Sequence, residues 1–205
     1  IEKILDDCLI AWAMNGEALR PEQGYPARLV VPGWEGNMWV KWIRRLEFGD
    51  KPYMTREETS KYTDLLRDGK ARMFTWVMEA KSVVTSPSPE KPILYKGIQQ
   101  LRGLAWSGKG KIKRVDVSLD GGKNWRTAQL HAPIMSKSLV RFTLPFEWSG
   151  EELLIQSRAI DETGYVQPYI QELQKIRGKN SIYHNNSIAT WLVSKSGKVD
   201  NVRLG

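Results

Sequence analysis

Apolar residues in "IEKILDDCLIAWAMNG" fall at Ile1, Ile4, Leu5, Cys8, Leu9 and Trp12. That i, i+3, i+4, i+7 spacing predicts an amphipathic helix, and Asn15-Gly16 supplies its stop. "LRPEQGYP" reads as a loop. Two apolar runs follow, "ARLVVPG" and "MWVKWIRRLEF", which read as strands joined by the turn Gly33-Trp34-Glu35-Gly36-Asn37. Residues 50 to 72 are polar and charged. Thr55 with Glu58 three positions on matches a capping box opening a short helix through Leu66, and fits an irregular surface excursion equally well.

From Met73 the pattern changes. "MFTWVMEAKSVVTSP" is strand-like and "SPSPEKP" is a Pro/Ser linker or long turn. Short strands then recur: "KGIQQLRGLAWSG", "KIKRVDVSLD", "NWRTAQL", "SLVRFTLPFEW" and "ELLIQSRAID". Asp120-Gly121-Gly122, between the alternating "VDVSL" and "WRTAQL", is a clear hairpin signal. Such strands without helical periodicity between them predict an all-β sandwich over roughly residues 80 to 175. The tail, "NSIYHNNSIATWLVSKSGKVDNV", adds one more apolar segment before fraying. Residues 1–75 therefore read as a piece of an α+β domain and residues 76–205 as a sandwich with a C-terminal tail.

The 205 residues suffice for one large or two small domains. The chain opens on "IEKIL" with neither Met nor cap, which reads as a fragment of a longer protein. No window approaches the roughly 18–20 consecutive apolar residues of a spanning helix, so no membrane span is expected. The formal charge of +8 is spread along the chain. That argues against a nucleic-acid-binding arm and suits an anionic ligand or an acidic partner. The single cysteine, Cys8, allows no internal disulfide. On the apolar stripe of the first helix it reads as a small buried hydrophobe, neither metal ligand nor nucleophile.

His131 and His184 stand far apart with no clustered ligands, so they read as surface or packing histidines, and no metal site is expected within the chain. No hydrolase elbow, Walker loop or dinucleotide fingerprint is present. The candidate chemistry lies in "PARLVVPGWEGNMWVKWIRRLE". Gly33 and Gly36 allow close backbone approach, and Arg28 and Lys41 flank them with donors suited to phosphate oxygens. The competing reading treats Lys41, Arg44 and Arg45 as a solvated strand face, with Trp34, Trp39 and Trp42 as cross-strand packing. Arg141, within a strand, is expected to be exposed.

"AWAMNGEALRPEQGYPARLVVPGWEGNMWVKWI" resembles the end of the molybdopterin domain of the sulfite oxidase family. "LRGLAWSGKGKIKRVDVSLDGGKNW" and "SRAIDETGYVQP" resemble that family's immunoglobulin-like dimerisation domain. "MTREETSKYTD", "FTWVMEAKSVVTSPS" and "SIYHNNSIATW" are similar to its bacterial branch of sulfane dehydrogenase catalytic subunits and periplasmic sulfite dehydrogenases. The resemblance implies a mainly β chain: an immunoglobulin-like sandwich preceded by the C-terminal fragment of an α+β molybdopterin-binding domain. It implies cofactor contacts from Arg28 and Lys41, from backbone at Trp39 and Val40, and from Gln23, which replaces a family His. Thr190 stands where animal enzymes place a substrate-pocket Arg.

The implied cofactor is molybdenum-molybdopterin, shared with an upstream half that carries the metal's thiolate ligand. The fragment alone is therefore expected to be inactive, with no catalytic residue of its own. The implied partners are a second copy of the chain, a c-type cytochrome electron acceptor and a sulfur-carrier protein, in the periplasm. The alternative is a non-catalytic immunoglobulin-like interaction or scaffold module.

Overall fold

The computed structural model describes residues 1–179, 181 and 183–204. The first third is poor in regular structure. Helix α1 (Glu2–Asp6) is followed by the short strands β1 (Leu9–Ala11), β2 (Ala13–Met14), β3 (Glu17–Ala18) and β4 (Arg28–Val30). A 3-10 turn, Pro21–Gln23, precedes β4, and another, Gly36–Met38, follows it. Helix α2 (Arg56–Lys61) and strands β5 (Asp64–Leu65) and β6 (Ala71–Arg72) complete this part.

The helix expected to run to Asn15-Gly16 stops at Asp6, a correction with a clear cause. Five residues with no buried side chain and no side-chain cap make a marginal helix. Leu9–Ala11 instead pairs antiparallel with β4, Leu9 opposite Val30 and Ala11 opposite Arg28. Asp7 is drawn to Lys3 and to Lys137, the latter 2.5 Å away in the second half of the chain. Cys8 lies between α1 and β1, partly buried.

"MWVKWIRRLEF" forms no strand either. Two backbone bonds hold it beside β4, Leu29 N–H to Val40 O (2.8 Å) and Ile43 N–H to Ala27 O (2.9 Å). At Trp42 the backbone turns left-handed, φ +55°, and the extended run ends. Thr55 does precede a helix, but its side chain makes no cap bond, and the helix ends at Lys61, short of Leu66.

The remainder is two antiparallel sheets. The strands are β7 (Lys81–Ser86), β8 (Gly97–Trp106), β9 (Ile112–Ser118), β10 (Arg126–Thr127), β11 (Gln129–His131), β12 (Val140–Trp148), β13 (Leu153–Asp161), β14 (Thr190–Val193) and β15 (Val199–Val202). One sheet runs β11-β12-β8-β7 and the other β10-β9-β13-β14-β15. Alternation writes this directly. Val140, Phe142, Leu144, Phe146 and Trp148 of β12 point into the core, where they meet Leu101, Ala105, Val115, Val117, Ile155 and Ala159.

The sandwich extends past residue 175. The tail supplies two strands, with β14 pairing β13 and β15 pairing β14. Helix α3 (Ile170–Arg177), which the pattern did not predict, lies between β13 and β14 in sequence. Buried Gln167 ties the sheets together, its Oε1 accepting from the backbone N–H groups of Ser82 (2.9 Å) and Ala159 (3.1 Å).

Gly33 docks the first part on the sandwich. Its carbonyl accepts from Met78 N–H (2.9 Å), and a Cβ added to Gly33 would lie 2.6 Å from the Gly108 carbonyl oxygen. Trp34 stacks on Trp76 with 5.0 Å between ring centroids. The close backbone approach expected at Gly33 is thus spent on another segment of the same chain. A methyl group at Gly36 would meet nothing within 4 Å, so that position stays open.

Candidate functional site

The turn Pro21–Gln23 organises the predicted residues. Three successive carbonyls accept from three different side chains. Pro21 O takes Trp42 Nε1–H (2.8 Å), Glu22 O takes Lys41 Nζ (3.0 Å) and Gln23 O takes Arg28 Nη1 (3.0 Å). Arg28 also donates through Nη2 to Trp39 O (3.1 Å). Gly24 closes the turn at φ +113°, where a Cβ would sit 3.0 Å from Lys41 Cβ and 3.1 Å from Arg28 Cβ. Only glycine fits there, and its absence of side chain lets the two cationic residues pack together.

Gln23, Arg28, Trp39 and Lys41 therefore converge. Trp39 lies 5.9 Å from the Arg28 guanidinium carbon and donates Nε1–H to Trp34 O (3.1 Å). Lys41 Nζ sits 4.4 Å from the centroid of the Trp42 ring. Gln23 contributes its backbone carbonyl, while its side-chain Oε1 is occupied by Arg20 N–H (3.0 Å). Val40 is exposed, and its carbonyl is engaged with Leu29. Arg44 and Arg45 point away to solvent, Arg45 pairing with Glu47. The cation-rich stretch thus splits, with Arg28 and Lys41 drawn inward and Arg44 and Arg45 solvated.

Neither Arg28 nor Lys41 has a carboxylate partner among the described residues. Arg28 Nε is buried without any partner among them. Carbonyl dipoles hold both cations but neutralise neither. The pair is therefore suited to an anion with several oxygens, such as the phosphate of a pterin cofactor. The donor set fits that group.

Sequence reasoning missed the node on the other side of the turn. His184 hydrogen-bonds through Nδ1 to Glu35 and through Nε2 to Glu79 Oε2 (3.0 Å). Glu79 also accepts from Tyr165 OH (3.1 Å) and Arg177 Nη2 (3.4 Å). Arg177, 1% exposed, reaches Asp64 (3.4 Å) and Thr75 Oγ1 (2.7 Å). Burial alone would raise the Glu79 carboxyl, but the His184 hydrogen bond and the Arg177 charge bring it down to about 2. Burial would likewise lower His184, and the two carboxylates overcome it, raising the imidazole above its usual range.

A cavity of about 340 Å³ adjoins this node, lined by Glu35, Asn37, Lys81, Tyr183 and His184 among others. Both polar side-chain atoms of Asn37 are buried there without partners among the described residues. No local signal announces such a node, because its members are up to 149 positions apart. His184 is packed, as expected of an unclustered histidine, yet it is hydrogen-bonded between two carboxylates.

Other candidates are structural. Thr190 is buried and its hydroxyl accepts from Gln156 Nε2 (2.9 Å) inside the sheet. Burial pushes the Cys8 thiol up, away from thiolate character. Half-buried His131 bonds Thr143 Oγ1 (2.7 Å), and Arg141 is exposed. No group of His, Cys, Asp and Glu able to hold a metal occurs among the described residues.

Comparison with known proteins bears on the same two parts of the chain. Residues 72–191 match the Mo-co oxidoreductase dimerisation domain, and residues 1–57 match the oxidoreductase molybdopterin binding domain. Sulfite oxidase from Gallus gallus is 35% identical over 176 residues, covering 79% of this chain and 38% of that protein. The NADPH nitrate reductase of Mycosarcoma maydis is 33% identical over 157 residues, 63% of this chain and 16% of that one. The crystal structure of the sulfane dehydrogenase SoxCD from Paracoccus pantotrophus superposes with a TM-score of 0.95 at 62% identity. It covers all of this chain and 53% of that one. The chain thus spans about half or less of the length of the relatives it matches.

Proposed function

Because the chain belongs to the sulfite oxidase family of molybdopterin oxidoreductases, we propose that it is part of an enzyme oxidising sulfite or carrier-bound sulfane sulfur. The 62% identity to a sulfane dehydrogenase over the whole chain favours the sulfane substrate. The observation that carries the reading is the gathering of Arg28 and Lys41 on one turn without a neutralising carboxylate.

In this reading Arg28 and Lys41 hold the phosphate end of the molybdenum-molybdopterin cofactor, and Arg28 Nε gains the acceptor it lacks. Backbone at Trp39 and Val40 and the turn at Gln23 complete the wall. When bound, the cofactor would supply the two-electron oxidation of sulfur, with the added oxygen derived from water. The chain's own residues bind and orient, and none handles the reacting atoms. Cys8, partly buried and held toward the thiol, is not assigned as the metal ligand, so this stretch alone is proposed to be without turnover.

The sandwich carries the family's dimerisation domain. We assign it to a two-fold contact between copies, with the boundary between the two domains near residue 75. A c-type cytochrome as electron acceptor, a sulfur-carrier protein as substrate donor and a periplasmic location complete the reading. They rest on likeness to the bacterial branch of the family. Among the described residues, no helix is long and apolar enough to cross a membrane.

The test is molybdenum and released pterin in the full-length parent protein, beside Arg28→Ala plus Lys41→Ala. Stoichiometric metal in the parent and its loss from the variant are expected. A parent free of molybdenum and pterin after cofactor-competent expression would leave a sandwich serving only as an interaction module.

A further inference from the structure

Glu35 immediately precedes the Gly36–Met38 turn, and that turn leads into Trp39, Val40 and Lys41. Its backbone N–H is bonded to Trp76 O (2.7 Å), and beyond it Gly36 has open space around it. The Glu35 side chain is therefore a lateral tether for the turn, and its anchor is His184, itself backed by Glu79 just before β7. An imidazole flanked by two carboxylates can donate to both only when both ring nitrogens carry protons. A neutral ring would turn a lone pair toward one of them.

We propose that His184 is a positioning residue for the cofactor wall: as an imidazolium bridging Glu35 and Glu79 it holds the Glu35–Trp39 turn against the sandwich, and it releases that hold on deprotonation. This rests on the reading of Trp39–Lys41 as cofactor wall.

The groups facing the ring come from every side. Glu35 lies on the turn, Glu79 precedes β7, and Tyr165 donates to Glu79. Arg177 of α3, bonded to Glu79 and to Asp64 of β5, is the one close cation opposing the charged ring among the described residues. Lys81 shares the cavity, where burial lowers its ammonium. Three carboxylates, Glu35, Glu79 and Asp64, face Arg177, the imidazolium and the Lys81 ammonium that burial disfavours, so deprotonating the ring removes the one positive charge that lies between Glu35 and Glu79. His184 is raised, so its contribution is fully present below about pH 6.5 and fades as pH rises through the higher folded-state value.

The experiment follows pterin and molybdenum retained by the full-length holoenzyme on dialysis at about pH 6 and about pH 9, for wild type, His184→Gln and His131→Gln. Wild type and His131→Gln should release cofactor roughly tenfold faster at the higher pH, whereas His184→Gln should release it at one fast rate across the range. A His184→Gln profile matching wild type overturns the proposal. If Arg28→Ala plus Lys41→Ala loses cofactor in the same series, the wall reading stands without it. If that double variant keeps its cofactor, the wall reading itself fails. Should His184→Gln not fold, hydrogen-exchange protection of the Met38 and Trp39 amides in wild type decides. Protection that falls from pH 6 to pH 9 supports the device, and constant protection removes it.

Discussion

Gly33 and Gly108 cross backbone to backbone: a Cβ on Gly33 would lie 2.6 Å from the Gly108 oxygen, and one on Gly108 would lie 2.0 Å from the Gly33 oxygen. This contact holds the candidate cofactor wall on the sandwich. Both residues are glycine because no side chain fits between the two segments.

Gly33→Ala should therefore cost about 2–4 kcal/mol, combining the left-handed backbone at φ +78° with the backbone clash. Limited proteolysis should show earlier cutting within the first third of the chain, with the sandwich intact. Gly36→Ala, with nothing within 4 Å, is the matched control and should behave as wild type. Equal effects from both would show that the crossing does not hold the parts together.

Arg177 is the second fastening. Its guanidinium is almost wholly buried between Asp64, Thr75 and Glu79. Arg177→Met should lower unfolding free energy by about 3–5 kcal/mol, because it strands buried carboxylates without a cation. Denaturant titration checks this. A loss under about 1 kcal/mol would mean that the node is already solvated.

Acid should open the same node. The folded Glu79 carboxyl titrates at about 2, below its ordinary 4.5. Its stabilisation is complete above pH 4.5 and is lost as pH falls toward the folded value. Denaturant midpoints should therefore fall across that window, and Glu79→Gln should flatten that part of the profile while lowering the plateau. An unchanged slope in the variant would assign acid sensitivity to other carboxylates.

Much of the sandwich was legible because period-two alternation reports one buried face. β8 and β12 alternate on the runs that the pattern marked, whereas β13 falls on its run without that alternation, being buried along most of its length. The first third was not legible in this way. Leu9 and Trp12 suit a helix face, but Leu9–Ala11 had a strand partner about 20 residues on, and sheet pairing prevailed. "MWVKWIRRLEF" alternates convincingly, yet a single left-handed residue, Trp42, breaks it. Helix α3 was missed because only Leu173 and Arg177 of its eight residues are buried, too few to write a stripe.

The candidate site was half visible. Arg28 and Lys41 could be picked out as donors flanking a glycine-rich turn, and family resemblance gave them a ligand. Their separation from Arg44 and Arg45 depends on the Pro21–Gln23 carbonyls, which no side-chain pattern encodes. The His184 node was invisible for a related reason: its members meet only once both parts of the chain have folded.

Those three carbonyls carry one more consequence. Main-chain oxygens are the same whatever residue bears them, so the places of Arg28 and Lys41 are written in the path of the chain and not in its lettering. Glu22 turns its side chain to solvent and Gln23 spends its Oε1 on the Arg20 N–H, so neither side chain touches the cations that their carbonyls place.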